Sequence, residues 1–267
     1  AQNVPGLQYV RVKLAASRLG KGPHVALVGA SGDIVEGSAG GGLFGGSSVI
    51  ASDDMARAIR DATNDKDIKA IILRVDSPGG SVTASDQILD AVKKAQAAGK
   101  PVVVSMGGVA ASGGYYIATS ADKIVAEPGT ITGSIGVLTG KVAIGKSLGM
   151  IGVGTDEVGV GKNALMNSEI MPYTPDQLTS LNAQADAIYA DFKQKGATGR
   201  KLPLAKVQEI ARGRVWTGAD ANARGLVDQL GGFWTAVDQV KKLSGIPADQ
   251  RVTFERYPRH KSFFDAI

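Results

Sequence analysis

Serine and lysine are the residues whose types and spacing in this sequence could do chemistry. Ser112 stands in GGVAASGGYYIA, residues 107–118, directly before two glycines and where a helix is expected to begin. There its hydroxyl would face a cleft, and the glycines would let a peptide carbonyl approach closely. A serine before glycine is more often a helix N-cap than a nucleophile, so position alone makes Ser112 a candidate.

Two glycine turns at the ends of predicted strands offer backbone N–H groups. The first is SPGG, Ser77–Gly80, and the second surrounds Ser112. Backbone N–H groups beside a helix N-terminus stabilise a negatively charged oxygen. The two turns therefore suit a reaction that passes through an oxyanion.

A serine nucleophile needs a base, and neither histidine stands in a motif that resembles a triad: His24 precedes a predicted strand and His260 lies near the end of the sequence. A lysine acts as a base only when burial or nearby positive charge lowers its pKa. Lys162, in VGVGKNAL, has small uncharged neighbours and follows a predicted strand. A solvated turn lysine is the more common case, so spacing alone leaves the choice open.

Composition excludes several other classes of chemistry. The 267 residues include no cysteine and two histidines, which removes disulfides, thiol catalysis and multi-histidine metal sites, so no metal or cofactor is expected. The net charge of +5 is scattered, without the basic run that a nucleic-acid groove needs. Apolar stretches fall short of the roughly 18 residues of a membrane span. The abrupt start, AQNVPGLQYV, is that expected of a fragment or processed form of a longer protein.

Strands and helices alternate along the first half of the sequence, which predicts parallel βαβ units. Apart from a glycine-rich loop, Gly37–Gly46, the predicted elements in that half are the strand His24–Val35, the helix Ser52–Ala62, an apolar strand ending in SPGG, a helix to Ala98, the strand Val102–Ser105, a helix from about Ser112 and the strand Ile124–Ala126. The part from Thr174 to Leu243 is mostly helical in pattern and is expected to pack outside the sheet.

Four motifs in order, SPGG, GGVAASGGYYIA, GTITGSIGV and GRVWTGADANARGLVDQLGG, resemble the signal peptide peptidase A family over about Val25 to Val240. The resemblance implies an α/β fold of the crotonase and Clp-protease type, with repeated ββα units and an outer helical region. It also implies cleavage of remnant signal peptides and other unfolded or apolar segments. On this basis residues 24–245 are the expected peptidase domain, residues 1–23 an N-terminal extension and residues 246–267 a C-terminal tail.

The resemblance assigns roles to individual residues. Ser112 matches the family's nucleophile, and the N–H groups of Gly80 and Gly113 match its oxyanion hole. Ser134, in TGSIGV, matches the serine that hydrogen-bonds the catalytic lysine. In short members the base ends a glycine-x-x-lysine stretch, so Lys162 is the expected base.

Longer family members have two tandem halves, and there the N-terminal half supplies the lysine. The WTG motif and the tail YPRHKSFF look like the long form, so this chain is alternatively a C-terminal half in which Lys162 need not be catalytic. The resemblance further implies a homo-oligomeric ring or dome with shared active sites, peptide substrates, no nucleic acid, and a place in the cell envelope. That place is the periplasmic or extracytoplasmic face of the cytoplasmic membrane, with membrane association through a segment absent from this sequence.

Three other functions remain open from the sequence. The chain is alternatively a catalytically incomplete half that binds peptide without turnover, or a crotonase relative that handles acyl-CoA. A dinucleotide-binding fold is the weakest alternative, because GASGDIVEG and the later glycines do not give GxGxxG in a strand-to-helix turn.

Overall fold

A computed structural model of the protein describes residues 22–39 and 49–258. The strands are β1 His24–Ser31, β2 Asp33–Val35, β3 Val49–Ala51, β4 Ile68–Ser77, β5 Val102–Ala111, β6 Lys123–Ala126, β7 Ile131–Gly133, β8 Val215–Thr217, β9 Gln229–Leu230 and β10 Thr253–Tyr257. The helices are α1 Ser52–Asn64, α2 Val82–Ala97, α3 Gly113–Tyr116, α4 Gly145–Met150, α5 Pro175–Arg200, α6 Leu204–Ile210, α7 Gly218–Ala223 and α8 Phe233–Leu243.

The central sheet has the strand order β10-β1-β4-β5-β6-β9, and each of these pairings is parallel. β7 pairs in parallel with the second half of β5 and antiparallel with β8, whereas β2 and β3 form a separate parallel pair. β4 and β5 are apolar at most positions because a parallel sheet is covered on both faces. The α/β class predicted from the sequence is confirmed.

Side chains alternate between two differently covered faces of the sheet. On the first face, Val28, Leu73 and Val104 belong to the large core that includes α1 and α2. On the second face, Val25 and Ile72 belong to a smaller core formed with α8. Packing on both faces holds the central strands in place, and it thereby fixes the positions of the ends of β4 and β5.

β5 is longer than the predicted Val102–Ser105, and the helix after Ser112 is one short turn. β5 pairs first with β6 and then, from Val109 to Ala111, with β7. This change of partner extends the strand past the glycines at 107 and 108, where the sequence predicts a turn. Ser112 therefore follows a strand whose last three residues are paired with β7.

The strand predicted before Lys162 is wrong, since residues 152–160 are described without a strand. Glycines interrupt this stretch, and Val158 and Val160 are almost fully exposed. No neighbouring strand within the described ranges offers a ladder for it. A segment with alternating apolar residues stays irregular when no neighbouring strand pairs with it.

The helical prediction for Thr174–Leu243 is confirmed by α5 to α8, but the expectation that this part lies wholly outside the sheet is wrong. β8 and β9 pair with sheet strands, and α8 covers the second face. β10, from the predicted tail 246–267, also pairs with β1. The predicted strand His24–Val35 is two strands, because the chain turns at Gly32, where φ is 97°.

Some sequence predictions lie outside the described residues. These are most of the N-terminal extension 1–23, most of the loop Gly37–Gly46, His260 and the tail beyond Pro258. Among the helices that are described, none has the length and apolar character to cross a membrane.

Close packing of α5 on the turn before β6 yields a first prediction. A Cβ on Gly199 would lie 2.2 Å from the carbonyl oxygen of Thr119, whereas a Cβ on Gly196 would meet a Val207 methyl at 3.7 Å, an ordinary contact. We expect Gly199→Ala to lower the free energy of unfolding by about 1–3 kcal/mol through overpacking. Gly196→Ala, the matched control, should be neutral or stabilise by up to about 1 kcal/mol. Urea denaturation measures both, and equal effects would contradict the packing described.

Candidate active site

Ser112 occupies a strained turn between β5 and α3. Its φ of 51° and ψ of −119° lie where residues other than glycine rarely occur. Two backbone hydrogen bonds hold the turn: the Ser112 N–H donates to the Gly133 carbonyl at 3.0 Å, and the Tyr116 N–H donates to the Ser112 carbonyl at 2.8 Å. Ser112 is half-buried. The turn therefore presents one partly accessible hydroxyl at the end of a rigid strand.

The SPGG turn packs directly against the backbone that follows Ser112. A Cβ on Gly79 would lie 2.6 Å from the Gly113 nitrogen and 2.9 Å from the Ser112 Cβ. A Cβ on Gly113 would lie 3.1 Å from the Gly80 nitrogen and 2.7 Å from the Ser85 Oγ. Only glycines allow such an approach. The sequence reading missed Gly79 and Ser85, although the paired glycines of SPGG were a signal for Gly79.

The N–H groups of Gly80 and Gly113 take no part in the backbone hydrogen bonds given for the described residues of these two turns. Two hydrogen bonds of 2.8 Å join Ile34 to the SPGG turn: the Ile34 N–H donates to the Gly79 carbonyl, and the Ser81 N–H donates to the Ile34 carbonyl. Neither of them uses the Gly80 N–H. Gly113 is the first residue of α3, where an N–H has no acceptor inside the helix. The two donors are neighbours of each other and of Ser112, which is the arrangement of an oxyanion hole.

Ser134 lies beside Ser112 because β7 pairs with the end of β5. The register places Ala111 against Gly133, and the next residue on each strand is a serine. Ser134 also has a positive φ, 48°, and its N–H donates to the Arg214 carbonyl at 2.8 Å. The structure thus brings together four of the five residues singled out from the sequence.

The WTG motif supports this serine pair from behind. A Cβ on Gly133 would lie 2.8 Å from the Trp216 Cδ1, so the indole packs closely against the backbone that holds Ser112. Arg224 stacks on the Trp216 ring at 3.7 Å, and the indole N–H donates to the Ile210 carbonyl at 3.0 Å. These contacts fix the ring and thereby the end of β7.

Lys162 lies apart from the other four residues in the single chain. Its ammonium pairs with Asp176 at 3.0 Å, and its side chain is 75% exposed. Within the described ranges it makes no hydrogen bond to Ser112 or Ser134. Its role as a base stays a prediction, and that role needs a more buried setting than this one.

Lys195 is closer to the serine turn, but it is held as a cation. Its amine donates to Asp86 at 2.5 Å, to Asp191 at 2.7 Å and to the Tyr116 hydroxyl at 2.7 Å. Burial alone would lower the pKa of Lys195, but the bonds to Asp191, Asp86 and Tyr116 outweigh it, and the pKa lies above its usual value. Lys195 is therefore charged at neutral pH and unsuited to take a proton from Ser112.

The cluster around Lys195 ties α2 and α5 to the last residue of α3. Burial raises the pKa of Tyr116 above its usual value, so its phenol stays protonated, and its one O–H proton is shared between Asp191 at 2.9 Å and Asp86 at 3.1 Å. One part of this cluster is visible in the sequence, the i,i+4 spacing of Asp191 and Lys195. The Asp86 partner is too distant in sequence to be found that way.

Burial lowers the pKa of Lys100, the chemical change that a base needs. Its amine, however, donates to the backbone carbonyls of Asp65 and Ile68 at the start of β4. Lys100 precedes β5, and Ser112 follows it, so about 30 Å of strand separates the two. Lys100 cannot serve Ser112 within one chain. Among the described residues, no group of three or more His, Asp or Glu could hold a metal ion.

Comparison with protein families gives two matches. The model of peptidase family S49 matches residues 94–247, more than half of the chain, and the Clp protease model matches residues 50–129. Together the two regions contain β4, β5, the serine turn and α5. The Clp match agrees with the fold expected from the sequence.

Several curated relatives carry protease names. The chain is 40% identical over 215 residues to "Serine protease SPPA, chloroplastic" of Arabidopsis thaliana, covering 80% of this chain and 32% of that protein. It is 44% identical over 223 residues to "Protease 4" of Salmonella typhi, covering 84% and 35%. A putative protease of Synechocystis sp. is 37% identical over 190 residues, covering 70% and 67%. The chain spans about a third of the length of the first two.

The positive φ of Ser112 yields a second prediction. Alanine keeps the steric penalty at this backbone conformation, whereas glycine removes it. We expect Ser112→Gly to be more stable than Ser112→Ala by about 1 kcal/mol in free energy of unfolding, after the larger chain entropy of glycine is included. Chemical denaturation of the two variants measures this difference. A Ser112→Ala variant as stable as Ser112→Gly would show that the turn is relaxed.

Proposed function

The chain belongs to peptidase family S49, and on that premise we propose that it carries the nucleophile and oxyanion hole of a serine endopeptidase with a Ser/Lys dyad. The observation that carries the proposal is the contact of the serine turn with the SPGG turn. In this contact the backbone of Ser112 and the N–H groups of Gly80 and Gly113 are neighbours, which supports the proposal. A peptide carbonyl seated there would have its carbon next to the nucleophile and its oxygen next to both donors.

The proposed reaction follows from these positions. Neutral Lys162 takes the proton of the Ser112 hydroxyl while the oxygen attacks the scissile carbonyl carbon. The Gly80 and Gly113 N–H groups stabilise the resulting oxyanion. The C–N bond then breaks as the lysine returns the proton to the leaving amine, and water hydrolyses the acyl-enzyme ester with the same lysine as base. Ser134 would hold the lysine amine in place.

Lys162 requires a second copy of the chain to reach the site. The segment from 137 to 173 around it exposes an unusual amount of apolar surface: Leu138, Val142, Met150, Ile151, Val158, Val160 and Met171 are all more than half exposed. Surface of this kind marks an association site. We propose that a neighbouring copy covers this segment, buries Lys162 and receives it beside its own Ser112, giving a homo-oligomer with shared sites.

The proposed substrates are apolar or unfolded peptide segments, with remnant signal peptides as the natural class. The family resemblance supports this class, and it supports a place in the cell envelope on the extracytoplasmic face of the membrane. Membrane attachment would use a segment outside this chain.

An alternative is favoured by one observation, the separation of Lys162 from Ser112 in the single chain. In a long-form protein the base would come from another part of the polypeptide, and this chain, which spans about a third of two relatives, would be incomplete alone.

A third prediction tests nucleophile and base together. We expect Ser112→Ala and Lys162→Ala each to lower kcat/KM on a fluorogenic apolar peptide by at least about 1000-fold, because the two groups act as a unit. Lys66→Ala, an exposed lysine in the turn before β4 and outside the 137–173 segment, is the control and should keep full activity. Activity retained by Ser112→Ala would refute the proposed nucleophile. Activity retained by Lys162→Ala alone would place the base elsewhere.

A fourth prediction tests sharing between copies. When Ser112→Ala and Lys162→Ala chains are unfolded together and refolded as a mixture, sites that combine an intact serine from one copy with an intact lysine from another should form. The mixture should therefore recover a measurable fraction of the parent activity, and size-exclusion chromatography should show an oligomer. A mixture as inactive as its two components would argue against a shared site.

A further inference from the structure

The second face of the central sheet is covered along only part of its length. α8 covers the first half of the strands, where Val25, Ile72 and Val237 are buried. Further along, the same face carries Gly29 on β1, Arg74 on β4 and Arg256 on β10, because side chains alternate along each strand. This region lies on the opposite face from α1 and α2.

A cavity of about 530 Å³ opens there, and its floor is Gly29. Apart from its chain neighbours, no described residue has an atom within 4 Å of the position that a Cβ on Gly29 would take. The glycine therefore leaves open space above the sheet. The backbone does not require a glycine at this position, because the φ of Gly29 is not positive. The volume is within the range of small-ligand pockets, about 300–1,000 Å³.

Two guanidinium groups line this cavity, and no acidic residue is among the described residues of its lining. Arg74 donates from Nη1 to the Ser105 Oγ and to the Met106 carbonyl, 2.8 Å each, so its position is fixed while the rest of its guanidinium stays available. Arg256 forms no ion pair with any described residue. In the register, Arg256 lies beside Leu27 and Arg74 beside Gly29. Their Cα atoms are separated by two inter-strand spacings across the sheet and by two residues along the strands, a distance of about 12 Å. Both side chains can therefore reach one anion.

The remaining lining is apolar or aromatic, with Leu27, Phe233 and Tyr257 as its larger members. Phe233 stacks with the exposed Trp234 and with Phe254, at centroid distances of 5.5 Å each. The apolar surface thus continues from the cavity to the outside along α8. A ligand that fits must join one anionic group to an apolar body.

We propose that this cavity binds the free C-terminal carboxylate of an apolar peptide, with Arg74 and Arg256 on the carboxylate and the last side chain over Gly29. The planar guanidinium matches a carboxylate with two parallel hydrogen bonds, which gives geometric specificity. The choice of a peptide rests on the proposed function, because each cleavage by a peptidase creates a new carboxylate end. The cavity would retain such apolar peptides on the protein by that end.

Binding is measured by fluorescence anisotropy in the Ser112→Ala background, so that no peptide is cleaved. The binding result then does not depend on whether the parent chain has peptidase activity. The probe is Leu-Ala-Leu-Ala-Phe with an N-terminal fluorophore, either as the free acid or as the C-terminal amide. We expect the acid to bind at least ten-fold more tightly than the amide, because the amide cannot pair with the guanidinium groups. Equal binding of the two forms would overturn the proposal.

Two variants locate the binding. Gly29→Val should fill the floor and abolish binding of the acid while the melting temperature stays unchanged, because the added side chain meets open space. Arg256→Gln should weaken the acid about ten-fold and leave the amide unaffected. Gly129→Val, another glycine facing open space, and Arg57→Gln, an exposed arginine of α1, are the matched controls and should bind as the parent does. Unaltered binding by Gly29→Val would overturn the site.

A fatty acid has the same chemistry, a carboxylate on an apolar body, so dodecanoate is included as a competitor. If dodecanoate displaces the probe only at concentrations well above those at which the unlabelled peptide acid does so, the result supports a peptide site. Dodecanoate binding with no detectable peptide binding would overturn the proposal in favour of a lipid ligand.

Discussion

The hydrogen bond from the Ser112 N–H to the Gly133 carbonyl is the constraint on which the site depends. It joins the end of β5 to the end of β7 and holds Ser112 at a positive φ, so the chain must leave the strand sharply and enter α3. Because of that turn, Gly113 comes to lie against Gly80. If the bond were absent, the N–H donors and the serine hydroxyl would have no fixed relation to each other.

This arrangement costs free energy locally and is supported by packing elsewhere. A residue other than glycine at such a φ costs on the order of 1–3 kcal/mol, and both Ser112 and Ser134 carry that strain. Trp216 packs behind Gly133, and the Lys195 cluster anchors the far end of α3 through Tyr116. The buried apolar strands on either side supply the rigid frame. The strain is thus concentrated where a hydroxyl must be presented and is offset by contacts that leave the hydroxyl accessible.

The sequence predicted the elements whose pattern is local. Alternating apolar strands and helices gave the α/β class, and the glycine-flanked Ser112 and SPGG gave the nucleophile candidate and its donors. Strand pairing was harder, because the length of β5 depends on β7, a partner about twenty residues further along. The same limit applies to the Lys195 cluster, whose Asp86 comes from another helix. Lys162 is predicted from its small uncharged neighbours and from the family resemblance, and neither signal indicates the exposed setting that the lysine has in the single chain.

The most direct test of the account is the site of covalent modification by a mechanism-based reagent. A peptide fluorophosphonate with small apolar residues loses fluoride to an activated serine oxygen and leaves a stable phosphonyl ester. Tandem mass spectrometry of the assembled protein should place that ester on Ser112 alone among its serines, with Ser134 unmodified. An ester on another serine, or none at all on an assembly that cleaves peptides, would contradict the central claim that the strained turn presents the nucleophile.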